Sequence, residues 1–201
     1  MDNQKKLEES KLFTPYKLGN TTLRNRVIRS AAFESMGKDF APTEALKNYH
    51  VSVARGGVGM TTVAYASINR SGISFNKQLW LRDEIVPALR DLTDAVHNEG
   101  AAVGIQLGHC GNMTHWSTAG SFNGFTLPSP TFPRRMRKSE IVESAKDFGK
   151  AVETAYNAGF DSIEVHAGHG YLISQFLSPY TNHRHDEYGG KLENRMRFME
   201  M

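Results

Sequence analysis

Two histidines and a tyrosine lie close together in the stretch HAGHGYLISQFLSP, residues 166–179. His166 and His169 could act as paired N–H donors to a substrate oxygen and stabilise negative charge that develops there. Tyr171 could act as a general acid, because a phenol is protonated at neutral pH and can deliver its proton to a developing carbanion. We therefore take these three side chains as the candidate catalytic and substrate-binding residues.

A metal site is the competing interpretation of the same histidines. The chain has eight histidines, and six of them fall in short clusters: His109, His115, His166, His169, His183 and His185. Imidazole suits zinc, but an HxxH spacing without an adjacent acidic residue is a weak metal signature. We favour proton chemistry and predict no metal site, with a metal-dependent hydrolase on a βα barrel as the alternative.

The three side chains can converge only if the backbone turns between them. In a continued strand His166 and His169 would point to opposite faces, because side chains alternate. Gly168 and Gly170 permit such a turn. The sequence therefore predicts a strand that ends in a functional loop.

The rest of the chain alternates strand-like and helix-like segments. Strands are predicted over 26–33, 57–67, 101–109 and 160–168. Helices are predicted from Thr43 to Gly56, from Asp83 to Glu99 and from Ser139 to Gly159. Near-continuous apolar strands that alternate with helices indicate parallel βα units. Before them, residues 12–25 have two short apolar runs around Gly19 and predict a hairpin that could cover one end of a barrel.

The informative residues fall at strand ends, over 30–33, 64–67, 106–109 and 166–171. In a βα barrel the loops after the strands form the active-site face. We therefore predict an α/β fold, the (β/α)8 TIM barrel, of which the chain covers about the first four βα units plus the N-terminal hairpin. Residues 1–201 would be the N-terminal half of one domain, or a truncated product. An open doubly wound sheet has less support, because no GxGxxG turn follows a strand.

Composition limits the partners. The 24 basic and 21 acidic residues are dispersed, without the basic stripe that nucleic-acid binding needs. No apolar run approaches the roughly 20 residues that span a bilayer, and the N-terminal MDNQKKLEES lacks the apolar core of a secretory signal. Cys110 is the single cysteine. We predict a cytoplasmic protein with a small-molecule substrate and without nucleic-acid or membrane partners; a homo-oligomer is left open.

Three segments resemble the old yellow enzyme family of FMN-dependent ene reductases. They are LFTPYKLGNTTLRNRVIRS at 12–30, QLGH at 106–109 and EVHAGHGYLISQFLSPYTNHRHDEYGGKLENRMRF at 164–198. The resemblance implies FMN across the mouth of an eight-stranded barrel and NADH or NADPH as reductant. It also implies hydride transfer from the flavin to the β-carbon of an activated alkene, such as an enone, enal or nitroalkene.

The resemblance also assigns site residues. Gln106 would hydrogen-bond the flavin pyrimidine edge, and the other implied cofactor-binding residues are Ser30, Ala31, Ala32 and Ala64. Tyr65 takes the place of Ala64 if the alignment shifts by one residue. His166 and His169 would bind the substrate carbonyl or nitro oxygen, and Tyr171 would protonate the α-carbon.

The chain departs from the family pattern at several points. Ala31-Ala32-Phe33 stands where many relatives have Pro-Met followed by Cys or Thr, so Phe33 puts the flavin potential in doubt. Asn112 replaces the arginine of QLxHxGR. The family takes its phosphate-binding loops from the second half of the barrel, so these 201 residues alone should bind FMN poorly. A non-catalytic truncated remnant is therefore a second hypothesis, which the coding sequence past Met201 would test.

Overall fold

A computed structural model describes residues 10–112 and 135–201. Its strands are β1 (Tyr16–Leu18), β2 (Thr21–Leu23), β3 (Ile28–Arg29), β4 (Met60–Ser67), β5 (Leu79–Trp80), β6 (Ala102–Gly108) and β7 (Ser162–Val165). Its α-helices are α1 (Glu44–Arg55), α2 (Val86–Asn98), α3 (Lys138–Asn157), α4 (Leu172–Leu177) and α5 (Leu192–Met196). Short 3₁₀ helices cover Lys11–Phe13, Arg70–Gly72 and Asp83–Ile85.

The main sheet is parallel and its strands follow chain order, β3–β4–β6–β7, with β5 also paired to β4. Each main strand thus lies beside the next one in the sequence. A doubly wound sheet reverses its strand order at a switch point, whereas a barrel does not. The strand order therefore agrees with the predicted barrel.

The helix boundaries follow local chemistry. Thr43 accepts a hydrogen bond from the backbone N–H of Leu46 at 3.3 Å, so it is the predicted N-cap of α1. Pro87 lies in the first turn of α2, where its missing N–H has no helical partner to lose. Within the two described ranges, no helix has the length and apolar character needed to cross a membrane.

The core lies between the sheet and the helices. Val63, Val103 and Ile105 point to the helix side of β4 and β6 and pack in one buried cluster with Leu89 and Leu92 of α2. Because side chains alternate along a strand, the residues between them face the other side of the sheet, which is the inside of a barrel. That inward face carries the candidate site.

The N-terminal hairpin closes one end of the sheet. β1 and β2 pair antiparallel around Gly19, whose φ of +57° suits glycine. Leu23 of β2 is 1% exposed and packs with Met60 and Ala102, the first residues of β4 and β6. The hairpin therefore covers the amino-terminal ends of the strands, opposite to the end that carries His166.

Arg24, which follows β2, connects the hairpin to the ends of α1 and α2 by hydrogen bonds. Its guanidinium donates to the carbonyls of Val58 and Glu99, both at 2.8 Å, and to that of Ala54. Ala54 lies in the last turn of α1 and Glu99 caps the end of α2. A cation at two helix carboxyl termini also complements the helix dipoles.

The first predicted strand, over 26–33, is too long at both ends, because only Ile28–Arg29 within it is a strand. The reason is an ion pair. Arg29 bonds the Glu34 carboxylate at 2.7 Å and the Ala32 carbonyl at 3.0 Å, so the chain folds around the guanidinium instead of extending. The Glu34 side chain is 3% exposed.

Candidate active site

The loop after β7 turns where the glycines predicted a turn. The backbone N–H of His166 donates to the Leu107 carbonyl at 2.8 Å and extends the pairing of β7 with β6 by one residue. His169 and Gly170 then take φ values of +55° and +72°, and the Tyr171 N–H closes the turn on the Gly168 carbonyl at 3.1 Å. The turn brings the two imidazoles and the phenol to one place.

The three rings are in contact. The ring centroids of His166 and His169 are 4.9 Å apart, and those of His166 and Tyr171 are 4.8 Å apart. The ring centroids of His169 and Tyr171 are 6.3 Å from each other, so the three rings form one cluster. His166 is buried, whereas Tyr171 is half-buried and His169 is exposed.

The two imidazoles are hydrogen-bonded to each other, with 3.1 Å between Nε2 of His166 and Nδ1 of His169. The Gly168 N–H donates to Nδ1 of His166 at 3.2 Å, so Nδ1 is an acceptor. In a neutral ring the proton is then on Nε2 of His166, which donates to His169. The Nε2–H of His169 is the N–H that this arrangement leaves for a ligand.

Burial keeps His166 uncharged near neutrality. Desolvation lowers the pKa of His166, the neighbouring His169 lowers that pKa further, and Glu164 opposes both effects. The sequence predicts that both imidazoles donate to one substrate oxygen. That geometry requires the His166 N–H to exchange His169 for the ligand.

β4 contains a bulge beside the site. Val63 and Ala66 are paired with neighbouring strand positions of β6, so Ala64 and Tyr65 both stand opposite Gln106. A bulge re-aims side chains next to functional sites. The backbone N–H of Ala64 is engaged with the Glu34 carboxylate at 3.2 Å. The resemblance assigns a cofactor contact to Ala64, or to Tyr65 after a shift of one residue. Because of the bulge, both residues lie opposite Gln106 in the sheet.

Tyr65 adds a fourth ring to the cluster. Its centroid is 5.2 Å from Tyr171 and 5.6 Å from His166. Gly108 makes room for it, because a Cβ there would lie 3.0 Å from the Tyr65 ring and 3.2 Å from Cβ of His166. The glycine of QLGH therefore lets Tyr65 and His166 pack over the end of β6.

Gln106 lies on the inward face, two residues before Gly108. Its amide nitrogen donates to the carboxylate of Glu164, its register partner on β7. The sequence analysis missed Glu164, although its position two residues before His166 places both on one face of the strand. The half-exposed amide of Gln106 has both a donor and an acceptor, so it is suited to hydrogen-bond the edge of a heterocycle.

Ser30, Ala31 and Ala32 follow β3, which is the neighbour of β4 in the sheet. Ser30 and Ala32 are exposed and Ala31 is half-buried, so their small side chains leave the backbone accessible. Phe33 turns instead toward Phe75, on which it stacks with 4.9 Å between centroids. All predicted site residues thus lie near the carboxyl ends of neighbouring parallel strands.

Gln175 is a further site residue that the sequence analysis missed. Its amide nitrogen donates to the carbonyls of Gly170 at 2.5 Å and Cys110 at 3.3 Å, and its amide oxygen accepts from the Asn112 N–H at 3.2 Å. It therefore joins the loop after β6 to the loop that carries the histidines. Nothing in the local pattern of the sequence reveals a bond between segments 63 residues apart.

His109 is buried at the end of β6. Its Nδ1 accepts from the Gly111 N–H at 3.0 Å, and its Nε2 lies 3.1 Å from the Ser71 hydroxyl. Burial lowers the pKa of His109 to about 4, because the charged ring loses its hydration. His109 is therefore a neutral structural residue at neutral pH.

We expect the free energy of unfolding to decrease as pH falls from 6.5, the ordinary histidine value, to about 4. In the unfolded chain His109 takes up a proton in this range, whereas the folded chain holds it neutral until the lower value, so protons favour unfolding. Urea titrations at several pH values measure the slope. His109→Gln should flatten it, leaving the contribution of His166; an unchanged slope would contradict the assignment.

Within residues 10–112 and 135–201, no three His, Cys, Asp or Glu side chains lie close enough together to hold a metal ion. His115 of the histidine clusters lies outside the described residues.

Comparison with known proteins identifies the family of the chain. The profile of the NADH:flavin oxidoreductase / NADH oxidase family matches residues 11–200. The chain is 39% identical over 192 residues to a 4,4'-dithiodibutanoate disulfide reductase of Rhodococcus erythropolis, covering 93% of this chain and 48% of the relative. It is 41% identical over 197 residues to an NADPH dehydrogenase of Listeria welshimeri, covering 94% of this chain and 58% of the relative. The chain thus spans about half the length of these curated relatives.

Solved structures show the same fold. The old yellow enzyme homologue of Zymomonas mobilis superposes with a TM-score of 0.82 at 31% identity, over 95% of this chain and 58% of that one. Morphinone reductase in complex with tetrahydroNAD superposes with a TM-score of 0.83 at 29% identity, over 96% of this chain and 59% of that one. The predicted TIM-barrel class is confirmed, and the family uses FMN with NAD(P)H. The chain belongs to the NADH:flavin oxidoreductase / NADH oxidase family.

Proposed function

We propose that the chain is the N-terminal half of an FMN-dependent ene reductase, which uses NADH or NADPH to reduce the C=C bond of enones, enals or nitroalkenes. The observation that carries the proposal is the contact of His166, His169 and Tyr171 at the carboxyl edge of a parallel sheet. The relatives support a nicotinamide reductant, since one is an NADPH dehydrogenase and the structure of another is a complex with tetrahydroNAD. The proposal also places the protein in the cytoplasm.

The residues on the inward face fit an isoalloxazine ring. Gln106 offers an amide, and Ser30 and Ala32, which follow β3, are exposed and have small side chains. Ala64 would contribute apolar surface and no backbone donor, because its N–H is engaged with Glu34. When bound, FMN would supply hydride chemistry, accepting a hydride from NAD(P)H and passing it to the β-carbon of the alkene.

The loop after β7 would supply the hydrogen-bond donors to the substrate oxygen and the proton for the α-carbon. The Nε2–H of His169 would bind the substrate oxygen, joined by the Nε2–H of His166 once their mutual bond opens. As the β-carbon gains hydride, negative charge moves to that oxygen, where both N–H groups stabilise it. Tyr171 would then give its phenolic proton to the α-carbon, which completes the saturated product.

The domain proposal follows from the edges of the sheet. β3 and β7 are the outer strands of the described sheet, and Ile28 and Val165 on them are 42% and 49% exposed. Four further βα units would pair both edges and close an eight-stranded barrel. Reading the coding sequence past Met201 tests this, because further βα units support the enzyme and a stop codon supports the catalytically inactive remnant.

The direct test uses the full-length protein. It should purify with stoichiometric flavin and should oxidise NADH or NADPH under anaerobic conditions only when 2-cyclohexenone is present, with cyclohexanone as product. Metal analysis is the control for the alternative. Stoichiometric zinc without flavin would exclude the proposal and favour the metal-dependent hydrolase.

A further inference from the structure

A buried chain of polar side chains runs from Tyr65 into the loop after β4. The Tyr65 hydroxyl is hydrogen-bonded to the hydroxyl of Ser74, which lies 3.2 Å from the amide oxygen of Gln78. That oxygen also accepts the backbone N–H groups of Ser74 at 2.8 Å and Phe75 at 3.4 Å. Ser74 is 1% exposed and Gln78 is 0% exposed, so these hydrogen-bonded side chains are shielded from solvent.

The direction of these bonds follows from the acceptor at their end. A carbonyl oxygen can only accept, so the Ser74 hydroxyl donates to Gln78. The Ser74 oxygen therefore accepts a hydrogen bond from the Tyr65 hydroxyl, and the Tyr65 oxygen keeps its lone pairs for another donor. Burial raises the pKa of Tyr65, which keeps this phenol protonated, and the bond to Ser74 restrains its orientation.

The fixed ring of Tyr65 lies against the proposed proton donor. Its plane is tilted by 39° to that of Tyr171, at 5.2 Å between centroids, and it meets His166 edge-on at 81°. Burial is the main cause of the raised pKa of Tyr65, and the proximity of Tyr171 adds to it. Tyr171 is half-buried, so packing against Tyr65 and His166 covers part of its ring.

We propose that Tyr65 is a positioning residue that holds the Tyr171 phenol beside His166, and that Ser74 and Gln78 fix Tyr65 from the loop after β4. The role of Tyr171 as proton donor rests on the proposed function, whereas the contact of the two tyrosines does not. A misplaced donor hydroxyl lowers the rate of proton transfer, because catalysis depends on the distance and orientation of the reacting groups.

The first experiment measures the contact without catalysis. In protein labelled with ¹³C at tyrosine Cζ, the Tyr171 signal is assigned by its loss in Tyr171→Phe. Tyr65→Phe and Ser74→Ala should each shift that signal, whereas Tyr156→Phe, at a side chain that is 78% exposed, and Ser52→Ala should not. A Tyr171 signal that stays unshifted in Tyr65→Phe and Ser74→Ala would overturn the proposal.

The second experiment measures the consequence in the full-length, FMN-loaded protein. Tyr65→Phe keeps the ring and removes one hydrogen bond, so oxidation of the reduced enzyme by an enone should slow by about three- to tenfold. Reduction by NAD(P)H should not change. In a Tyr171→Phe background, Tyr65→Phe should add no further loss, because it acts through the missing hydroxyl.

Multiplicative losses in the double variant would overturn the proposal, since Tyr65 would then act independently of Tyr171. If Tyr171→Phe alone leaves the enone reaction unchanged, the proposed proton donor fails, while the ¹³C shifts still decide whether Tyr65 positions Tyr171. Thermal unfolding of each variant shows that the comparison is made between folded proteins.

Discussion

Tyr171→Phe is expected to slow the reaction of the reduced enzyme with an enone by about 10²- to 10⁴-fold, the usual contribution of a general acid. Phenylalanine keeps the ring contacts with His166 and Tyr65 at 4.8 Å and 5.2 Å, so only the phenolic hydroxyl is removed. Reduction of the flavin by NAD(P)H needs no phenolic proton and should keep its rate. Anaerobic stopped-flow absorbance of the full-length protein separates the two half-reactions.

Tyr156→Phe is the matched control for this prediction, because Tyr156 lies on α3 and is 78% exposed. It should leave both half-reactions at the wild-type rate. Equal losses in the two half-reactions of Tyr171→Phe would instead indicate a general disturbance of the site, and the proton-donor role would then be abandoned.

His169→Ala is expected to slow the same enone reaction by about 10²- to 10³-fold, the usual cost of losing one donor to a developing oxyanion. The Nε2–H of His169 is the N–H that the histidine pair leaves for a ligand, and alanine has no donor to replace it. The dissociation constant of an enone analogue, measured by titration of the oxidised enzyme, should rise as well.

His169→Asn supplies the control, since it restores a side-chain N–H donor. The φ of +55° at this position favours asparagine over other residues with a Cβ, so the backbone should accept it. This variant should recover most of the rate that His169→Ala loses. If alanine and asparagine are equally slow, or alanine is as fast as histidine, the donor role of His169 is wrong.

The elements that place the site were predictable from local patterns. The threonine N-cap at position 43, the proline in the first turn of α2 and the glycines around His169 each act within a few residues. The convergence of His166, His169 and Tyr171 also followed from sequence, because a strand end and two glycines suffice to turn the backbone there. The cofactor and the roles of Ser30, Ala31, Ala32, Ala64 and Gln106 came from the family resemblance, and those roles remain proposals.

The remaining features depend on contacts between distant segments. The bond of Arg29 to Glu34 ends the first strand early, and the same guanidinium also donates to the Thr62 carbonyl on the next strand. The bulge at Ala64–Tyr65 appears only when β4 pairs with β6. The bond between His166 and His169 depends on which imidazole nitrogen the Gly168 N–H occupies. No periodicity or spacing along the sequence contains this information.

Gly108 has an evolutionary consequence for the family. A methyl group there would compete for the same volume as the Tyr65 ring, which lies 3.0 Å from where that methyl would stand. A larger residue at position 108 therefore requires a smaller or displaced side chain at position 65, and also a small shift of His166, whose Cβ lies 3.2 Å from the same point. We therefore expect a larger residue at position 108 to occur together with a smaller residue at position 65, so that the packed volume at this end of β6 stays constant.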